Sequence, residues 1–180
     1  NIPKCLVTIN GKPLLQIWLE KLSKFGVKKY LINTHYLHNK VEEFVIRSPF
    51  KKDIDIIYEK ELLGTAGTLI KNIDFYNNEE GLLIHSDNLC IENFNNFYKH
   101  HKNRPNYCLL TMMAFRTNTP SNCGIIEVKE DVVINFFEKQ NISKGNLANS
   151  AVYILSPEFI SVIKKNFHFA KDFSTEIINK

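Results

Sequence analysis

Leu63-Gly64-Thr65-Ala66-Gly67-Thr68 precedes an apolar run, Gly81-Leu82-Leu83-Ile84-His85, which ends in Ser86-Asp87-Asn88. The two glycines are set among small residues, so a ligand ring can come close to the backbone there. The apolar run has the length and character of a buried central strand, and Asp87 falls where that strand would end. Open α/β sheets bind their ligands at the carboxyl ends of the strands. A close-approach loop, a strand and then a carboxylate point to a nucleotide-handling enzyme with a metal at Asp87.

The rest of the chain fits an α/β protein. Residues 5–9 read as a short extended piece and Gly11-Lys12-Pro13 as a turn, with Pro13 suited to a helix start. Leu14, Leu15, Trp18, Leu19 and Leu22 recur at helical spacing up to Gly26, which suits a helix end. Residues 30–33 and 54–58 read as strands, with a short amphipathic helix carrying Val41, Phe44 and Val45 between them. The glycine loop opens a helix near Thr68. Residues 91–102 read as a helix with Phe94, Phe97 and Tyr98 on one face, and residues 107–114 as a strand. Lys129-Glu130-Asp131 separates two strands as a hairpin signal. Asn149-Ser150 precedes a strand over 151–155, and Pro157 starts a helix. Strands alternating with helices early, then a hairpin, imply a sheet of mixed direction in one domain spanning 1–180.

Composition narrows the function classes. The chain has 180 residues, 44% hydrophobic and 23% charged, and a formal charge of +4. These are values of a globular domain with a full core. The charge is too mild to argue for nucleic acid. Lysine pairs such as Lys28-Lys29, Lys51-Lys52 and Lys164-Lys165 read as solvated faces. No apolar run is long enough to cross a bilayer, no signal peptide pattern opens the sequence, and no membrane partner is expected. Cys5, Cys90, Cys108 and Cys123 are scattered without a CxxC pair, which implies reduced thiols and a cytoplasmic protein. The six histidines form no metal pattern.

Several residues could carry chemistry, each with a plainer alternative. Asp87 can hold Mg²⁺, which takes oxygen ligands and keeps waters and substrate phosphates, or it can cap a helix. Glu138 and Lys139 follow a strand and suit sugar hydroxyls and a phosphate, or form an exposed ion pair. Asn149 can donate to a sugar hydroxyl or simply make a turn. Gly124 can let a sugar pack on backbone or relieve a turn. Lys4 can bind a polyphosphate or stay solvated. Asp172 and Glu176 lie one helical turn apart and share a face; they can hold a metal or start a helix.

In order along the chain, these pieces resemble the sugar-phosphate nucleotidyltransferases, with a likeness to those of the mannose-1-phosphate guanylyltransferase type. Residues 2–6 and 11–15 are similar to "PKPLL…GKPLL", and Leu63 to Gly67 to the base-binding loop. Ser86-Asp87-Asn88 resembles the "GD" metal site, with Ser86 in place of Gly. Cys123-Gly124-Ile125-Ile126-Glu127 resembles "YGVVE", and Glu138-Lys139-Gln140 resembles "EKP" with Gln140 in place of Pro. Residues 146–153 resemble "NAGIY", and residues 172–178 the second acidic site. Asn33 to Leu37 and Pro120 to Gly124 look like those of guanylyltransferases.

The resemblance implies a Rossmann-like three-layer αβα fold with a mixed, mostly parallel sheet. It implies joining of a nucleoside triphosphate, GTP favoured, to a sugar 1-phosphate, with Mg²⁺ as cofactor and release of pyrophosphate. Lys4 and Asp87 take the catalytic roles, and Leu63, Gly64, Thr65 and Gly67 the nucleotide. Gly124, Glu138, Lys139 and Asn149 take the sugar phosphate. Asp87 and Glu176, with Asp172 as the alternative, take the metal. The family's GxGTR loop is expected just before Asn1, and further sequence beyond Lys180. A homo-oligomer is left open. The rival expectations are a catalytically inactive regulatory relative that binds nucleotide-sugar, a uridylyl-, thymidylyl- or cytidylyltransferase, and a plain Rossmann-type binding module.

Overall fold

Helix α1, Leu14–Phe25, buries the five residues its spacing predicts: Leu14, Leu15, Trp18, Leu19 and Leu22. It ends where Gly26 takes φ 109°, a left-handed conformation that costs glycine least. The Gly26 and Val27 amides then return to the Ser23 and Leu22 carbonyls, the Schellman closure. The computed structural model describes residues 1–138 and 145–180. The chain divides into two compact units, residues 1–62 with 85–95, and residues 63–84 with 96–180.

The first unit opens with a 3-10 turn, Lys4–Leu6, where an extended piece is expected. Strands β1, Thr8–Ile9, and β2, Lys12–Pro13, then make a small antiparallel hairpin closed by Asn10 and Gly11. After α1 come β3, Tyr30–Thr34, helix α2, His38–Arg47, and β4, Ile54–Tyr58. β3 and β4 pair in parallel from Tyr30↔Ile54 to Thr34↔Tyr58, so this is a β-α-β unit. Val41 and Val45 of α2 are buried.

The second unit is built on β9, Leu147–Leu155. It pairs antiparallel with β5, Gly81–Ile84, on one side and with β6, Leu110–Arg116, on the other. β7, Gly124–Lys129, joins it at Ile125↔Ala148 and forms a hairpin with β8, Val132–Glu138. The hairpin turn is the expected one, with Glu130 and Asp131 both at positive φ. Helix α3, Gly64–Lys71, helix α5, Pro157–Asn166, and a π-helical turn, Ser174–Ile178, contribute to one apolar core. That core contains Ala66, Leu69, Tyr153, Leu155, Ile160, Ile163, Phe173 and Ile177. Leu110 and Met112 pack against it, so Thr111 between them faces the other side of the sheet. There it meets His101 of helix α4, Phe94–Lys102. This unit therefore has helices on both faces of its sheet, a three-layer α/β arrangement.

Strand direction is mixed, as expected, with a larger antiparallel share than a mostly parallel sheet would have. β9 inserts between β5 and β6, which share a direction, and β7–β8 adds a hairpin. Some expectations about single elements are corrected. β5 is half-buried along its length rather than fully buried, and its ladder partner among the described residues is β9. Asn149 lies inside β9 instead of before it. Among the described residues, no helix is long and apolar enough to cross a membrane.

His101 is fully buried. Its Nδ1 lies 2.8 Å from the Thr111 hydroxyl and its Nε2 3.3 Å from a Glu80 oxygen. Burial, helped by the Arg104 charge and opposed by Glu80, pushes its pKa down from 6.5 to about 4. The unfolded chain then binds more protons than the folded one between those values. Stability is complete above about pH 6.5 and is lost as pH falls toward 4. We predict a lower urea midpoint at pH 5 than at pH 7, a difference of about 1–2 kcal/mol. His101→Gln should shrink that difference; an unchanged pH dependence in the variant would refute the assignment.

Candidate active site

In the first unit, Lys4 and Asp87 come together. Pro3 is extended at the head of the 3-10 turn, the Leu6 amide closes back on the Pro3 carbonyl, and Leu6 is buried as the anchor. This leaves the Lys4 side chain 85% exposed, with its Nζ 3.7 Å from Asp87 Oδ2. The Asp87 side chain is 43% exposed, so the carboxylate is not committed to the core. An ion pair this exposed contributes little stability, and both groups can turn to a ligand at small cost.

The Asp87 loop is tied down from behind by α1. The Trp18 indole N–H donates to the Asn88 carbonyl at 2.8 Å, and Lys21 Nζ donates to the Cys90 carbonyl at 3.0 Å. Trp18 also meets Phe94 edge-on at 6.1 Å between centroids. The Cys5 thiol is held above its ordinary range by burial, and the Asp87 charge acts in the same direction. A thiol so placed is a packing group and not a nucleophile. None of the four cysteines forms a disulfide among the described residues.

In the second unit, the glycine segment is already helix. α3 begins at Gly64, earlier than the expected start near Thr68. Gly64 has φ 81°, and a Cβ there would collide with the Lys171 carbonyl. The close approach required at Gly64 is therefore to the chain's own backbone. The Ala66 amide donates to that same carbonyl at 3.0 Å. The Thr65 hydroxyl accepts the Phe173 amide at 2.8 Å and donates to Asp172 Oδ2 at 3.5 Å.

Asp172 and Glu176 cap the turn that follows. Asp172 Oδ1 accepts from the Thr175 amide and hydroxyl, each at 2.8 Å. Glu176 Oε1 accepts from the Asp172 amide at 3.1 Å and the Lys171 amide at 3.4 Å. Partial burial alone would raise the Asp172 pKa, but the hydrogen bonds from Thr175, Ser174 and Thr65 outweigh it and hold the carboxyl below its ordinary range. Both oxygens of Asp172 are thus engaged, whereas the described bonds of Glu176 use Oε1 only.

Gly124, Glu138 and Asn149 also lie in this unit. Gly124 pairs with Glu138 across the β7–β8 ladder. A Cβ at Gly124 would strike the Phe136 ring and stand 3.0 Å from Glu138 Oε2. Asn149 Nδ2 donates to the Tyr153 hydroxyl at 2.6 Å, and Asn149 Oδ1 accepts the Ala151 amide at 2.9 Å. The register between β6 and β9 shifts at this point, a bulge that re-aims side chains. The Ser150 hydroxyl bonds the Met113 carbonyl at 2.7 Å, and Ala151 adopts φ 54°. The Tyr153 hydroxyl is kept protonated by burial, against its bonds to Asn149 and Ser174; the Glu138 and Asp172 charges reinforce the burial. Tyr153 and Trp18 are the organising residues that sequence reasoning missed. Each is an aromatic at an apolar position whose polar tip needs a partner once buried. Lys139 lies outside the described residues. Among the described residues, no group of three or more His, Cys, Asp or Glu side chains is arranged to hold a metal.

A β-α-β unit with an exposed carboxylate loop, and a three-layer unit with a glycine-opened helix strapped to an acidic turn, define an α/β protein of nucleotidyltransferase type. The family model for Nucleotidyl transferase matches residues 1–180, and the chain belongs to that family. Mannose-1-phosphate guanyltransferase beta-A of Xenopus laevis is 30% identical over 173 residues, 91% of this chain and 47% of the relative. D-glycero-alpha-D-manno-heptose 1-phosphate guanylyltransferase of Campylobacter jejuni is 26% identical over 171 residues, 94% of this chain and 74% of the relative. The crystal structure of HddC from Yersinia pseudotuberculosis complexed with GMP-PN matches with a TM-score of 0.79 at 25% identity, covering 99% of this chain and 76% of that one. The chain spans about half the length of the frog relative.

Ala151 stands where the "NAGIY" pattern has glycine, in a conformation that costs a non-glycine residue about 1–2 kcal/mol. Ala151→Gly relieves that cost and gives back part of it through the freer unfolded chain. We predict a net gain of about 0.5–1 kcal/mol, read from the urea midpoint. A loss of stability would show that Ala151 is not strained.

Proposed function

We propose that this protein joins a nucleoside triphosphate, GTP preferred, to a sugar 1-phosphate and releases pyrophosphate. One observation carries the reading: Asp87 stands exposed on a loop anchored by Trp18 and Lys21, with the Lys4 ammonium 3.7 Å away. A carboxylate and a cation held ready beside each other suit a polyphosphate with its counter-ion. The guanylyltransferase names of the two relatives favour GTP. Both names also specify a manno-configured sugar 1-phosphate, and that is the acceptor proposed here.

In this reaction an oxygen of the sugar phosphate attacks the α-phosphorus. The new P–O bond forms as the bond to the β-phosphate breaks, and the electron pair leaves on pyrophosphate. No protein nucleophile is required. The chain contributes positioning and charge. Lys4 contacts the triphosphate, and the backbone of residues 63–67 receives the base. Gly124, Glu138 and Asn149 hold the sugar hydroxyls, with Lys139 on the sugar phosphate. Asp87 fits Mg²⁺ as a hard oxygen donor that leaves room for waters and substrate phosphates. When bound, the ion neutralises charge on the phosphates. Glu176 is the second-carboxylate candidate, since its Oε2 takes no part in the described capping bonds; Asp172 is the alternative. A cytoplasmic location and self-association belong to the same reading.

In the full-length protein, Asp87→Asn should lower nucleotide transfer by roughly a hundredfold or more, because the anionic oxygen that would hold the Mg²⁺ counter-ion of the phosphates is lost. Far-UV circular dichroism and the thermal midpoint should stay at wild-type values, since the carboxylate is exposed. Near-normal turnover would overturn the role of Asp87. Among the five common nucleoside triphosphates with Mg²⁺, GTP should raise the melting temperature most. A wild-type protein that nucleotide-sugar stabilises but that turns over no substrate would instead favour a regulatory relative.

A further inference from the structure

Thr65 lies in the segment expected to bind nucleotide, yet its hydroxyl is turned to the chain itself. It accepts the Phe173 amide at 2.8 Å and reaches Asp172 Oδ2 at 3.5 Å. The neighbouring residues make the same connection. The Ala66 amide bonds the Lys171 carbonyl at 3.0 Å, and the absent side chain of Gly64 is what lets that carbonyl approach. Thr65 and Ala66 are thus bonded to three consecutive residues of another segment, 171–173, with Gly64 making room for the Lys171 carbonyl. The second segment leads directly into the turn that Asp172 and Glu176 cap. Phe173 is buried at 1% exposure, so its amide has little access to water if the Thr65 oxygen is lost.

We propose that Thr65 is a positioning residue: its hydroxyl fixes the Asp172–Glu176 turn to the start of α3, so that the glycine segment and the two carboxylates move as one body. This rests on the proposed nucleotidyl transfer and assigns Thr65 a part in it other than nucleotide contact. The γ-oxygen is the atom that matters, and the γ-methyl is not. Ligation of the glycine segment is then felt at residues 171–176, and loss of the γ-oxygen releases the turn while leaving the α3 backbone able to receive a base.

The test compares Thr65→Val, which keeps the shape and removes the hydroxyl, with Thr65→Ser, which restores it. In the full-length enzyme Thr65→Val should lower kcat about tenfold or more, as expected for a misplaced group, with the KM for nucleotide within about threefold of wild type. Thr65→Ser should return kcat to near the wild-type value. In parallel, a non-hydrolysable GTP analogue should slow amide hydrogen exchange over residues 171–176 of the wild type. That protection should be absent in Thr65→Val at saturating analogue. A valine variant with wild-type kcat overturns the proposal. So does a valine variant that raises only KM, which would make Thr65 a nucleotide contact, and so does a serine variant as impaired as valine. If the valine variant does not fold, the wild-type exchange measurement decides: unchanged exchange over 171–176 on binding the analogue overturns the coupling, and slowed exchange there, with wild-type kcat in Thr65→Ser, supports it. A wild-type enzyme that transfers no nucleotide fails the underlying function as well, whereas an active wild type with an indifferent Thr65 fails this inference alone.

Discussion

Strand β9 is the constraint on which the second unit depends. Its carboxyl half is paired on both sides, Leu83 and Met112 both facing Tyr153, and Leu155 is fully buried. A strand hydrogen-bonded on both edges has no slack in register, because a one-residue slip would exchange its core and outer faces. The irregularity at Ser150 and Ala151 is therefore confined between two fixed points. It interrupts the β6–β9 ladder, which resumes at Ala114↔Asn149, and Asn149 bonds across it to the Tyr153 hydroxyl. The sheet's rigidity is what makes a strained residue tolerable there.

The first unit solves a different problem. The loop bearing Asp87 is exposed, and exposed loops are the part of a fold with fewest constraints. Here the constraint is supplied by helix α1. One face of that helix fills the core, and Trp18 and Lys21 also satisfy two carbonyls of the loop. The same tryptophan belongs to the core through its ring and to the loop through its nitrogen. Packing and site geometry are thereby joined in one side chain, and a change that loosens the core loosens the loop as well.

The sequence was readable where local physics decides. The period of Leu14, Leu15, Trp18, Leu19 and Leu22 set the buried face of α1 correctly, and Gly26 its end. The Glu130-Asp131 turn was likewise a local matter. Boundaries set by side-chain capping or turns were less readable. Helix α4 starts at Phe94 and not at Ile91, which is 84% exposed, because Asn93 Oδ1 takes the Asn95 amide and turns the chain. β6 begins at Leu110 because the Cys108 amide closes a turn on Pro105. Least readable were interactions between distant segments. Nothing near Gly64 announces that its empty space receives the carbonyl of Lys171. Nothing near Asp172 announces that its partners include Thr65, more than a hundred residues earlier. The candidate side chains are legible in the sequence, but the bonds several of them make to the chain itself come only from the packing.

The start of α3 has a consequence for which part of a ligand the glycine segment can serve. Helix beginnings attract phosphate because their first amides point outward unpaired. In this protein the Ala66 amide is consumed by Lys171, and no acidic or basic side chain stands in the first turn. With that amide taken and no charge in its first turn, the segment is a poorer anion site than an open helix start. An anion at this helix start would find one amide fewer than an unstrapped helix offers.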